Sequence, residues 1–293
     1  MPQLSSSGFL TLGDKSLEYR LAGASDLPPA IVLLHEGLGS AALWGDFPDR
    51  LAAATGVPVV AYSRAGYGAS SPVALPRPLT YMHDEATTTL PALLDAIGFR
   101  RGLLLGHSDG ASIAAIYAGS SQDHRVRGLT LIAPHFVVED VGLAAIRAAK
   151  TAYETGDLKT RLARWHKDVD VAFHGWNDAW LDPAFRAWDI TDALAYLRVP
   201  VQIVQGENDQ YGTIRQVKIA QDECYCPVEV AMIAGAGHAP QRERPEVTLE
   251  TIAGFANRIL KVHREGEIAR SPEHEDADVV GQDEAWRPDA YEL

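Results

Sequence analysis

The chain has 293 residues, 46% of them hydrophobic and 22% charged, with a formal charge of −13. That length and apolar content suit one large domain, or one domain carrying an insertion. The acidic balance argues against a nucleic-acid or anionic-membrane partner. No apolar run approaches the ~18 residues that cross a bilayer. Residues 1–13 lack the basic and apolar regions of a signal peptide, so a cytoplasmic protein is expected. Cys224 and Cys226 are one residue apart, too close for an unstrained disulfide, and read as reduced thiols.

In chain order, residues 8–11 and 15–21 flank Leu12-Gly13-Asp14 and predict an edge hairpin. Apolar, β-branched runs at 30–34, 57–62, 102–105, 128–133, 199–205 and 228–233 predict buried strands. Helix-period segments at 46–55, 81–97, 108–118, 212–223 and 242–262 separate or follow them. Strands alternating with helices predict an α/β fold with a mostly parallel sheet and helices on both faces.

The alternation breaks at 135–198, where only helical patterns occur, at 141–155 and 158–171. A helical cap inserted after the sixth strand is expected there, over the carboxyl edge of the sheet where open α/β sheets bind ligands. Its many aromatics, among them Phe136, Trp176 and Trp180, serve equally well as the core of a small helical subdomain. The expected organisation is a core of 1–134 and 199–264, a cap of 135–198 and an acidic extension of 265–293. That extension holds ten acidic and two basic residues, −8 of the total −13, with Trp286 and Tyr291 as its expected anchors.

Gly106-His107-Ser108-Asp109-Gly110 lies between a strand and a helix, the setting of a nucleophile elbow. Glycines at 106 and 110 permit the tight turn, which lifts Ser108 to a helix amino terminus. A serine hydroxyl needs a base, and the base needs a group that fixes its tautomer. Asp209, after strand 199–205, and His238, in the Gly-rich turn after 228–233, supply them in chain order. Glu207 and Asp140 are alternative acids. The backbone amides of Gly37 and Asp109 are the candidate oxyanion-hole donors, with Glu36 the neighbouring alternative to Gly37. Glu36, His107, Phe136, Trp176, Trp180 and Tyr211 are the candidate pocket residues. No spacing of His, Cys or acids fits a metal site, so neither metal nor cofactor is expected, and a small-molecule substrate is the partner expected.

These positions resemble the α/β-hydrolase superfamily, in its single-chain group with a helical cap. The likeness covers most of residues 30–260: the loop at 35–40, Ser63-Arg64-Ala65-Gly66-Tyr67-Gly68, the elbow at Ser108, Asp209 and Gly237-His238. Ser108-Asp109-Gly110 is similar to bacterial carboxylesterases and the valacyclovir-hydrolase-like group. The resemblance implies a sheet of about eight strands and hydrolysis through a Ser-His-Asp triad. It implies a carboxylic ester, lactone or thioester hydrolase acting on a small apolar or aromatic substrate through an acyl-enzyme. A serine at the elbow disfavours dehalogenase and epoxide-hydrolase chemistry. A C–C bond hydrolase of ring-fission products would share the triad, and a non-catalytic ligand receptor would share the fold. The sequence departs from the family at His35-Glu36, where a His-Gly pair is common. That places a carboxylate beside the site, able to repel an anionic substrate or attract a cationic group.

Overall fold

Strands that are apolar on every residue need cover on both faces, and the sheet of this protein is covered in that way. The computed structural model describes residues 4–24 and 26–268. Its strands are β1 (Ser7–Leu12), β2 (Lys15–Ala22), β3 (Ile31–Leu34), β4 (Val59–Tyr62), β5 (Gly102–His107), β6 (Val126–Ile132), β7 (Val201–Gly206) and β8 (Val228–Ile233). They form one eight-stranded sheet in the order β1-β2-β4-β3-β5-β6-β7-β8. β1 and β2 pair antiparallel, β2 meets β4 antiparallel, and all pairings from β4 to β8 are parallel. Side chains alternate between two cores: Ile31, Leu33, Val59 and Ala61 enter one, Val32, Leu34, Val60 and Tyr62 the other.

Helix α1 (Phe47–Thr55) covers the first core. The second is covered by α2 (Tyr81–Asp84), α3 (Leu90–Ala96) and α4 (Asp109–Ser121). Between α2 and α3 the chain adopts a π register over Glu85–Thr89, next to Pro91, whose missing N–H interrupts ordinary helical bonding. Strand β4 begins two residues later than the apolar run suggests, because Pro58 brings no N–H to the ladder. The Pro58 carbonyl instead accepts the Ala30 amide at 3.0 Å.

Between β6 and β7 lie α5 (Asp140–Thr155), α6 (Leu158–Leu162), α7 (Val169–Leu181) and α8 (Thr191–Ala195). The helix expected over 158–171 is therefore two. The second restarts where the Asp168 carboxylate accepts the Val171 amide at 3.0 Å, an N-cap. Most of helix α7 lay beyond the predicted segment, although Ala172, Phe173, Trp176, Asn177 and Trp180 recur at helical spacing along one buried face.

After β7 comes α9 (Ile214–Glu223), capped by Thr213, with the free thiols Cys224 and Cys226 just beyond it. The helix expected over 242–262 is cut by Pro245 into α10 (Pro240–Glu243) and α11 (Pro245–Ile268). Helix α11 joins α1 on the first core through Ile252 and Phe255. It also runs past the boundary expected at 264. Residues 269–293, with Trp286 and Tyr291, lie outside the described residues. Among the described residues, no helix is long and apolar enough to cross a membrane.

Candidate active site

Ser108 sits between β5 and α4 with φ 54° and ψ −118°, in the left-handed region that a serine occupies at a cost of about 1–3 kcal/mol. The turn is held by its neighbours. The Ser108 amide donates to the Ile132 carbonyl at 2.9 Å, and the Ser108 carbonyl accepts the Ala111 amide at 2.9 Å. A Cβ on Gly106 would overlap the Gly110 carbonyl, and one on Gly110 would overlap the Leu34 carbonyl. Strand and helix approach so closely that only glycine fits at either place.

Asp209 follows β7, and His238 lies in the loop between β8 and α10. His238 Nδ1 is 2.9 Å from both Asp209 carboxylate oxygens. The carboxylate accepts, so Nδ1 carries the proton and Nε2 is left as a base. Asp209 also accepts the Tyr211 amide at 2.8 Å and the Gln205 side-chain amide at 2.8 Å. Burial pushes its carboxyl up, but the bond and charge of His238, with these donors, hold it at about 2. Glu207 is exposed, and Asp140 pairs with Arg186 at 2.6 Å, so neither alternative acid reaches His238. The His238 loop is clamped by Glu243, whose carboxylate accepts the Gly237 amide at 2.6 Å and the Ala239 amide at 3.0 Å. His107 Nε2 donates to the His238 carbonyl at 2.8 Å.

The loop after β3 is organised by Arg64, which is buried. Its Nη1 donates to the His35 carbonyl at 2.5 Å and its Nη2 to the Glu36 carbonyl at 3.0 Å. The Arg64 amide donates to His35 Nε2 at 3.1 Å, so His35 Nδ1 carries the proton and donates to the Glu36 carbonyl at 2.7 Å. Burial, reinforced by Arg64, keeps His35 neutral, well below its ordinary pKa. Because the Glu36 carbonyl is turned toward these donors, the amide of the same trans peptide, Gly37 N–H, points the opposite way. Gly37 lines the cavity beside Ser108. The amides of Gly37 and Asp109 have no acceptor among the described residues.

The helical segment between β6 and β7 is fastened to this loop. His166 accepts the Gly68 amide at 3.0 Å through Nδ1 and donates to the Leu38 carbonyl at 3.0 Å through Nε2. Trp176 packs its indole directly on Gly37. Trp180 Nε1 donates to Asp109 Oδ1 at 3.2 Å, and the Tyr81 hydroxyl donates to Asp109 Oδ2 at 2.6 Å. Burial raises the Asp109 pKa, while these donors and the nearby Arg64 favour the carboxylate.

A cavity enclosing about 560 Å³ of space, its mouth included, joins these parts. Ser108 and His238 both line it, as do Glu36, Trp176, Trp180 and Tyr211 of the expected pocket residues. His107 and Phe136 do not. Phe136 is fully buried in the core, and His107 lies behind His238, between its carbonyl and the Gln241 amide at 3.0 Å. The sequence reading missed His135 and Glu139 in the wall. His135 directly follows β6 at the carboxyl edge, so the edge rule itself pointed there. Among the described lining residues are Glu36, Asp109 and Glu139 and no Lys or Arg; their carboxylates are engaged by Arg242, by Tyr81 and Trp180, and by Thr213 and Gln216 respectively. Among the described residues, no cluster of three or more His, Cys, Asp or Glu is placed to hold a metal ion.

Residues 31–251 match the family model described as the alpha/beta hydrolase family. The chain belongs to the alpha/beta hydrolase family. Within it, 113 residues are 32% identical to a proline iminopeptidase of Lactobacillus helveticus, over 39% of this chain and 38% of that enzyme. The match thus spans well under half the length of that relative. Among solved structures, an esterase from Rhodococcus sp. ECU1013 superposes with a TM-score of 0.66 at 18% identity, covering 87% of this chain and 100% of that one. An enol-lactonase from Burkholderia xenovorans LB400 gives 0.65 at 19% identity, covering 85% and 99%. At these identities the likeness is one of fold.

Proposed function

We propose that this alpha/beta hydrolase is a serine hydrolase of carboxylic esters, lactones or thioesters that works through an acyl-enzyme. One observation carries the reading. A serine on a positive-φ turn at a helix amino terminus lines the same cavity as a histidine whose far nitrogen is held by a buried aspartate. In this mechanism His238 Nε2 takes the Ser108 proton as Oγ attacks the acyl carbon. Asp209 stabilises the imidazolium. The amides of Gly37 and Asp109 hold the oxyanion, and His238 then passes the proton to the leaving alcohol and activates water for deacylation.

The described lining offers no Lys or Arg to a substrate carboxylate and carries three acidic residues around a largely apolar space. That favours a neutral or cationic substrate and works against the carboxylate-bearing substrates of C–C bond hydrolases. The local identity to a proline iminopeptidase supports a second reading, an aminopeptidase whose substrate amine would suit the same acidic wall. Hydrolysis of p-nitrophenyl butyrate, compared with prolyl p-nitroanilide, separates the two. Ester turnover abolished by Ser108→Ala, with fluorophosphonate labelling of wild type alone, supports the proposal. Equal turnover by Ser108→Ala overturns it.

A further inference from the structure

Each of the other buried histidines spends both ring nitrogens on the protein. His35 bonds the Arg64 amide and the Glu36 carbonyl. His107 bonds the His238 carbonyl and Gln241. His166 bonds the Gly68 amide and the Leu38 carbonyl. His135 differs. It is only 6% exposed and lines the cavity, yet neither ring nitrogen has a hydrogen-bond partner among the described residues.

The ring is nevertheless held in place. The His135 carbonyl accepts the Ser112 hydroxyl at 2.6 Å, and the next amide, Phe136 N–H, donates to Gln216 at 2.8 Å. The imidazole lies edge-on to Trp180 at 5.3 Å and tilted against His238 at 5.5 Å, with Gly212 beneath it. Its nitrogens are not among the enclosed, unpartnered atoms of the described residues, so they open to the cavity. A site that fixes such a group rigidly beside its reacting atoms is prepared for a ligand that completes the bonds.

We propose that His135 forms a polar subsite of this cavity, which takes a hydroxyl or amide group of the substrate beside the scissile carbonyl. The inference rests on the serine-hydrolase reading and narrows its substrate class to polar-substituted esters. Burial, with the charge of the neighbouring His238, pushes the His135 pKa down to about 3. The ring therefore stays neutral, presents one donor and one acceptor, and is too weak a base to replace His238. A hydroxyl or an amide offers the matching donor and acceptor, whereas an alkyl chain leaves both nitrogens unpaired. Such sites discriminate strongly against the analogue that lacks the group.

The test compares two near-isosteric pairs: p-nitrophenyl 3-hydroxybutyrate with p-nitrophenyl butyrate, and 2-hydroxyethyl butyrate with propyl butyrate. Wild type is expected to prefer the hydroxyl-bearing member of one pair by about tenfold or more in kcat/KM. His135→Phe should abolish that preference, chiefly through KM, by lowering kcat/KM for the hydroxyl-bearing ester about tenfold more than for the plain one. His135→Gln, which keeps a donor and an acceptor, should retain it. No wild-type preference in either pair, or a preference that survives in His135→Phe, overturns the subsite. The wild-type comparison decides even where the phenylalanine variant does not fold. Brisk turnover of plain esters without preference sinks the subsite alone. Absence of all ester turnover sinks the serine-esterase reading, and calorimetric titration of Ser108→Ala protein with the same pairs then decides the subsite by binding.

Discussion

The Glu36 carboxylate accepts a hydrogen bond from Arg242 at 2.8 Å, joining the loop after β3 to the short helix that follows His238. Its other oxygen lies 3.5 Å from His107 Nδ1. Burial opposes the charge, but the Arg242 guanidinium holds the Glu36 carboxyl well below the ordinary range. The residue that departs from the family's usual glycine thus ties the proposed oxyanion loop to the proposed base. Glu36→Gln should lower kcat/KM on a neutral ester about three- to tenfold, a partly exposed pair contributing about 1 kcal/mol. Arg242→Gln should do the same, and the double variant should cost little more than either alone. Additive losses in a double-mutant cycle would show that the pair does not act as a unit.

Asp209 fixes the tautomer of His238. Asp209→Asn should leave the fold intact and lower kcat by about 10³–10⁴, because an amide at that position presents a donor to Nδ1 and favours the wrong tautomer. Steady-state kinetics on p-nitrophenyl butyrate measures this. A loss below tenfold would place the acid elsewhere.

Trp176 occupies the space that a side chain at residue 37 would need. Gly37→Ala should therefore push the indole away, shift the loop and reduce kcat by about 10²-fold or more, the scale of a lost oxyanion donor. Gly37→Ala combined with Trp176→Ala should recover part of that loss, since the obstacle is removed. A double variant worse than Gly37→Ala alone would count against the steric account.

His35, His135 and His166 are each held neutral by burial, below their ordinary value of 6.5. Unfolding frees them to bind protons near pH 6.5, so over the window below it the unfolded chain holds more protons than the native one. Stability is then full above pH 6.5 and falls as pH is lowered. Asp209, depressed to about 2 from 3.8, adds a loss in the same direction below pH 3.8, while the raised Asp109 opposes it. Tm should be nearly flat from pH 7 to 8 and decline steadily below 6.5. A Tm unchanged between pH 7 and 5 would contradict the buried neutral state of these rings.

Several features were legible in the chain because their physics is local. Apolar runs without alternation announce strands covered on both faces, and their spacing by helical segments announces a parallel sheet. Two glycines around Ser108 announce a turn too tight for side chains, and chain order points to Asp209 and His238. Local pattern failed where one residue overrides a period. Pro245 cut a helix and Pro58 shortened a strand.

What a single sequence does not carry is the meeting of residues far apart along it. Glu36 meets Arg242, His166 meets Leu38, and His135 stands beside His238 without a bond to its ring nitrogens. Whether a carboxylate is a free charge or half of an ion pair depends on what the fold brings within about 3 Å of it. Whether a histidine is a satisfied strut or an unpaired group in a cavity depends on the same thing. The sequence by itself determined the α/β sheet and the order of serine, acid and histidine. Only the tertiary structure decided which charges are paired, because hydrogen bonds and ion pairs act over a few ångströms and close only where the fold brings chain-distant groups together.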